Sequence, residues 1–87
     1  MTFDEARALF PVLERVAYLN AGSMGPLARP TIDAMSAQLA GDLDGGRGGR
    51  PYIEEMLALR ERVRAAIAHV ICVPPENLAL TSSTTAG

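Results

Sequence analysis

At 87 residues, 48% of them hydrophobic and 21% charged, the chain has material for one small domain and no more. A net charge of −2 without clustered basic residues argues against a general nucleic-acid or anionic-membrane binder. All eight basic residues are arginine, so no lysine side chain is available to condense with an aldehyde cofactor or a carbonyl substrate.

The lone Cys72 rules out an internal disulfide framework and suits a reducing compartment. The N-terminus, Met1-Thr-Phe-Asp-Glu5, is acidic where a secretory leader would be basic. No apolar run approaches the ~20 residues of a membrane span. The expected location is therefore the cytoplasm, with neither membrane nor nucleic acid among the partners.

Thr2-Phe-Asp-Glu5 has the spacing of a capping box and predicts a short helix through about Leu9, buried through Phe3, Ala6 and Phe10 and stopped by Pro11. Val16-Ala-Tyr-Leu19 reads as a short extended segment, with a strand near 17–19. Asn20-Ala-Gly-Ser-Met-Gly-Pro26 follows as an irregular loop. A second helix is expected to open at Arg29-Pro30, since proline suits the first helical turn. Ile32, Met35, Leu39 and Leu43 form its apolar stripe.

Asp44-Gly-Gly-Arg-Gly-Gly-Arg50 ends that helix, and Pro51 opens the longest one, running to about Val70. Ile53, Met56, Leu57, Val63, Ile67 and Val70 mark its expected buried face. Glu54, Glu55, Glu61 and Arg64 are assigned to the water side. Pro74-Pro75 forces a turn, and Leu78-Ala-Leu-Thr81 reads as a buried strand leading into Ser82-Ser-Thr-Thr-Ala-Gly87. One or two four-residue strands make no stable sheet, so a strand over 78–81 needs neighbours that the 87 residues do not supply. The chain is accordingly expected to be a piece of a longer one.

Strand, Ser/Thr/Gly-rich turn and presumed helix, in that order, form an anion-binding arrangement. The first N–H groups of a helix lack intrahelical partners, and small residues let the backbone close around a phosphate. The candidate donors are Ser83, Thr84, Thr85, Ala86 and Gly87. Taken alone, a Ser/Thr cluster of this kind is more often a plain turn or helix cap than an anion site.

Three segments carry a resemblance. Val16-Ala-Tyr-Leu-Asn-Ala-Gly-Ser-Met-Gly-Pro-Leu27 comes first, followed by the Arg-Pro helix. The long arginine-bearing helix ending Arg64-Ala-Ala-Ile-Ala68 comes second, and Pro75-Glu-Asn-Leu-Ala-Leu-Thr-Ser-Ser-Thr-Thr85 third. In order and spacing they resemble the start of class V aminotransferase-fold enzymes, the group that includes cysteine desulfurases and isopenicillin-N-epimerase-like proteins. The resemblance implies an α/β fold: the N-terminal segment of a fold-type-I transferase dependent on pyridoxal 5′-phosphate (PLP). It divides the chain into an N-terminal arm and opening loop (1–28), helices (29–71), and the first large-domain strand with its phosphate loop (72–87).

It also implies that Ser83, Thr84 and Thr85 contact the cofactor phosphate, and that Asn20, Ala21 and Gly22 border the site of an amino-acid substrate. The intact enzyme would be a homodimer. Ala86 stands where the family often has an acidic residue, which leaves the subfamily open. The family's lysine and its partner for the pyridine nitrogen match nothing here, so no catalytic residue is assigned. Transamination, racemisation and carbon–sulfur cleavage all remain open as the reaction. The alternatives are a small non-enzymatic helical interaction module and an inactive truncated gene product.

Other residues are assigned bland roles. His69 is expected to favour the C-terminal end of its helix dipole. Cys72 is expected as a small, partly buried side chain rather than a nucleophile. Tyr18 is assigned to packing, and Met35 and Met56 to the core stripes. The Gly-Gly-Arg-Gly-Gly stretch reads as an interhelical loop, since it lacks the lysine of a nucleotide loop. Arg47 or Arg50 reaching a substrate carboxylate is a minority reading. Asp42 with Asp44, and Glu54 with Glu55, lack the further ligands a metal needs, and no metal is expected.

Overall fold

Thr2 and Glu5 exchange the two bonds of a capping box in the computed structural model, which describes residues 1–87. The Thr2 hydroxyl accepts from the Glu5 N–H at 3.2 Å, and the Glu5 carboxylate accepts from the Thr2 N–H at 2.7 Å. Helix α1 (Phe3–Ala8) follows, and Pro11 then redirects the chain into a 3₁₀ turn over Pro11–Glu14. Arg7 donates to the Leu13 carbonyl at 2.9 Å, tying turn to helix. Two helical turns cover little surface: Ala6 and Phe10 are half-buried, whereas Phe3, expected inside, is exposed.

The chain forms two compact units, Met1–Gly46 and Arg47–Gly87. In the first, helix α2 (Arg29–Gly45) begins with the Arg29 N–H donating to the Leu9 carbonyl at 2.8 Å. Pro30 sits in the first turn, where a missing N–H costs no helical bond. Gly46, in the left-handed region at φ 78°, ends the helix with its N–H on the Asp42 carbonyl. The stripe expected to be buried lies open instead: Ile32, Met35, Leu39 and Leu43 are 43 to 87% exposed. Half-burial falls on Gln38 and Asp42, joined by a 2.9 Å hydrogen bond.

In the second unit, helix α3 (Arg50–Val70) opens after Gly49, again at positive φ. Its C-terminus closes in a Schellman motif: the Val73 N–H reaches the Ala68 carbonyl at 3.0 Å and the Cys72 N–H the His69 carbonyl at 3.3 Å. Cys72 occupies the left-handed position, φ 59°, that usually goes to glycine. Its side chain is exposed, a correction to the part-buried expectation.

The reversal brings a 3₁₀ turn, Pro75–Asn77, onto α3. Arg64 donates to the Pro75 carbonyl at 3.4 Å and pairs with Glu61. The assignment of Arg64 to water is therefore corrected: the arginine is half-buried because its stem lies under the returning chain. Ala68 is the one fully buried residue and Met56 is half-buried. Ile53, Leu57, Val63, Ile67 and Val70, expected inside, are 40 to 78% exposed.

Neither stretch read as a strand becomes one. Residues 17–19 have no regular structure. Leu78 is extended (φ −115°, ψ 128°), and Leu78 and Leu80 are half-buried with Ala79 exposed between them. That alternation is the side-chain period of a strand. A strand is also a ladder of hydrogen bonds, and residues 79–81 have no backbone partner.

Candidate functional site

Ser83 organises the residues assigned to the phosphate. Its carbonyl accepts from the Gly87 N–H at 3.0 Å, closing one α-helical turn, and its hydroxyl oxygen accepts from the Ala86 N–H at 3.2 Å. This is an N-cap with its first turn, the geometry that serine favours because a short hydroxyl replaces the missing helical acceptor. Thr81 donates its hydroxyl to the same Ser83 carbonyl at 3.2 Å, bracing the approach to the turn.

The consequence lies in what remains unbonded. Thr84 and Thr85 take the first positions inside the turn, and neither N–H nor hydroxyl of either residue has a hydrogen-bond partner. Both residues are exposed. Ser83 retains its hydroxyl proton as a donor even while its oxygen accepts. Two amides and three hydroxyls of this kind suit a tetrahedral dianion, so the donor set fits a phosphate group. Ala86 and Gly87 have already committed their N–H groups to Ser83.

The residues assigned to the substrate lie in the first unit. The Asn20 carbonyl accepts from the Ser23 and Met24 N–H groups at 3.1 and 3.0 Å, which wraps Asn20–Met24 into a single turn. Tyr18 then donates its hydroxyl to the Met24 carbonyl at 2.6 Å, so this residue fastens the loop. The Asn20 amide group makes no hydrogen bond, and the space around Gly22 is open. An apolar cleft of about 600 Å³ lies on this unit, lined by Tyr18, Met24, Pro26, Leu27 and Ile32 among others. Asn20, Ala21 and Gly22 belong to the unit 1–46, and Ser83, Thr84 and Thr85 to the unit 47–87.

Sequence reasoning overlooked a smaller groove on the second unit. About 390 Å³ in volume, it is lined by Leu57, Arg60, Glu61 and Arg64 of α3 and by residues 78–80. Within this unit the Arg64 Nε is buried without a partner. The signal available in sequence was slight: Arg64 stands three residues after Glu61 and four after Arg60, so the three share a helix face with Leu57. Arg47 and Arg50 are exposed; Arg50 pairs with Glu54 at 2.9 Å, which engages one of the two arginines considered for a substrate carboxylate. No three side chains among His, Cys, Asp and Glu gather at one point, and no helix is long and apolar enough to cross a membrane.

No protein-family model matches the chain, and no curated protein or solved structure matches it.

Proposed function

We propose that the chain is the N-terminal part of a PLP-dependent enzyme of the class V aminotransferase fold, acting on an amino acid or a compound derived from one. The observation carrying this reading is the Ser83-capped turn, which leaves the Thr84 and Thr85 donors free and lies five residues after the extended Leu78. Ser83, Thr84 and Thr85 hold the cofactor phosphate in this reading, and Asn20, Ala21 and Gly22 border the substrate. Pyridoxal phosphate, when bound, supplies an electron sink for negative charge developing on an amino-acid carbon. The chain's own residues fix the phosphate end: charge-assisted hydrogen bonds contribute roughly 1.5–3 kcal/mol each, so a few of them orient the whole cofactor.

The exposed stripes support the same reading. Ile32, Met35, Leu39 and Leu43 on one helix, and Ile53, Leu57 and Val70 on another, are faces that further polypeptide would cover. A lysine for covalent attachment must come from such additional chain, because none of the 87 residues is lysine. The intact enzyme is proposed as a cytoplasmic homodimer of α/β fold, in which residues 78–81 gain strand partners.

The same open stripes also favour a second reading, a helical module whose exposed faces dock on another protein. Reading the source gene beyond the Gly87 codon, then purifying the product, separates the two. A continuing frame whose product retains PLP, with retention falling at least tenfold in the T84A/T85A double variant, is the expected result (about 1.4 kcal/mol per factor of ten). A frame that stops at Gly87, or a longer product without affinity for PLP, removes the enzyme reading and leaves the interaction module.

A further inference from the structure

The chain carries eight arginines and no lysine, so an endoprotease that cuts after basic residues meets eight candidate bonds. The fold disposes of seven. Arg29 and Arg50 precede Pro30 and Pro51, and a tertiary amide bond to proline resists such enzymes because the ring on its nitrogen restricts the backbone they must accommodate. Arg60, Arg62 and Arg64 lie in the interior of the 21-residue helix α3. Arg7 is inside α1 with its guanidinium on the Leu13 carbonyl. At Arg15–Val16 both N–H groups donate to the Val12 carbonyl, at 3.1 Å each.

The eighth bond is different in every respect. Arg47 and Gly48 lie between the end of α2 and the start of α3, and neither residue's N–H or carbonyl takes part in a hydrogen bond. The Arg47 guanidinium has no salt-bridge partner. Gly46 and Gly49, at φ 78° and 86°, flank the pair in the left-handed region, and a side chain added at Gly46 or Gly48 would meet nothing within 4 Å. The division between the two compact units falls at Gly46–Arg47. A protease must draw several residues on each side of the scissile bond into an extended conformation, and here that breaks no helical bond on the first residues displaced.

We infer that the Arg47–Gly48 peptide bond is a preferred cleavage site for an arginine-specific endoprotease, whose cut yields residues 1–47 and 48–87. The proposal is independent of the enzyme reading above, since it uses only the junction and the chain's arginines.

Limited digestion of the intact chain with trypsin, followed by mass spectrometry, provides the test. The expected first products are residues 1–47 and 48–87, formed roughly tenfold or more faster than any product of a cut at Arg7, Arg15, Arg60, Arg62 or Arg64. The Arg47→Gln variant removes the side chain the protease recognises, and Arg47 makes no hydrogen bond or ion pair, so its circular dichroism should match the parent and its lifetime should lengthen by the same factor. A first cut at any of the other five arginines overturns the inference, as does an Arg47→Gln chain that disappears as fast as the parent.

Discussion

Helices α2 and α3 open alike and end differently. Each begins with Arg-Pro, follows a residue that offers no capping side chain, and carries an apolar stripe at helical spacing. Yet α2 leaves its four-residue stripe open and half-buries two polar residues, while α3 holds the one fully buried side chain, Ala68 at 1% exposure. The difference comes after the helix. Gly46 ends α2 and is the last residue of its unit, so no later segment of that unit covers the helix. Past α3 the Schellman reversal and two prolines fold Pro75–Leu80 onto the helix, and burial follows. Even on α3 the stripe Ile53, Leu57, Val63, Ile67 and Val70 stays largely open, so it is the returning segment, not the stripe, that chooses which residues are covered.

The strongest way to break this contrast is at Ala68. Leucine there must displace the returning chain, and overpacking of a closed site costs about 1–3 kcal/mol. Set against the thin stability of a chain this size, the loss should abolish the second unit's cooperative melt. The same exchange at Ala34 or Ala37, exposed on α2, should leave the melt within error. Equal effects at Ala68 and the α2 sites, read by circular dichroism against temperature, would show that the return adds no real burial.

Arg64 comes next. Its bond to the Pro75 carbonyl is long and its side chain a third exposed, so Arg64→Ala should cost about 1 kcal/mol, below the usual range for a charged hydrogen bond. Arg64→Met keeps the apolar stem and removes the buried, unpartnered Nε. If covering the helix is what matters, methionine restores most of the loss. If methionine is as damaging as alanine in urea melts, the guanidinium bond itself holds the turn.

These two sites also measure how much was legible beforehand. Helix starts were: Thr2 with Glu5, Arg29-Pro30 and Arg50-Pro51 all announce themselves through residues that act on their own backbone neighbours. Burial was not. Phe3, Leu43 and Val70 are apolar and correctly spaced, but whether they are covered depends on contacts distant in sequence, which periodicity does not encode. The extended course at Leu78 was expected from the short apolar run 78–81, whereas a ladder needs a second strand, and no spacing within one segment supplies it. At the candidate site, the Ser/Thr composition pointed to an anion turn. That Ser83 serves as its cap, and Thr84 and Thr85 as the free donors, depends on which hydroxyl meets which N–H, a distinction of about one residue that composition blurs.

Cys72 offers a smaller change of opposite sign. A non-glycine residue at φ 59° pays a steric penalty that glycine avoids, partly offset by the extra freedom glycine gains when unfolded. Cys72→Gly should therefore stabilise the end of α3 by about 0.5–1 kcal/mol, seen as slower amide exchange at Val73, whose N–H closes the motif. Unchanged or faster exchange would mean that the cap is not what fastens the reversal.

The least effect is expected at the other end of the same helix. Arg50 and Glu54 form an i,i+4 pair at 2.9 Å, but their side chains are 89% and 64% exposed, so water and salt screen them heavily. Glu54→Gln should cost only about 0.3 kcal/mol, and that cost should vanish in 1 M salt, where the Debye length shrinks to about 3 Å. A larger loss, or one indifferent to salt, would mean that Glu54 acts through packing. The α3 N-terminus would then be held as firmly as its C-terminus, and the contrast with α2 would extend along the whole helix instead of residing in the segment that follows it.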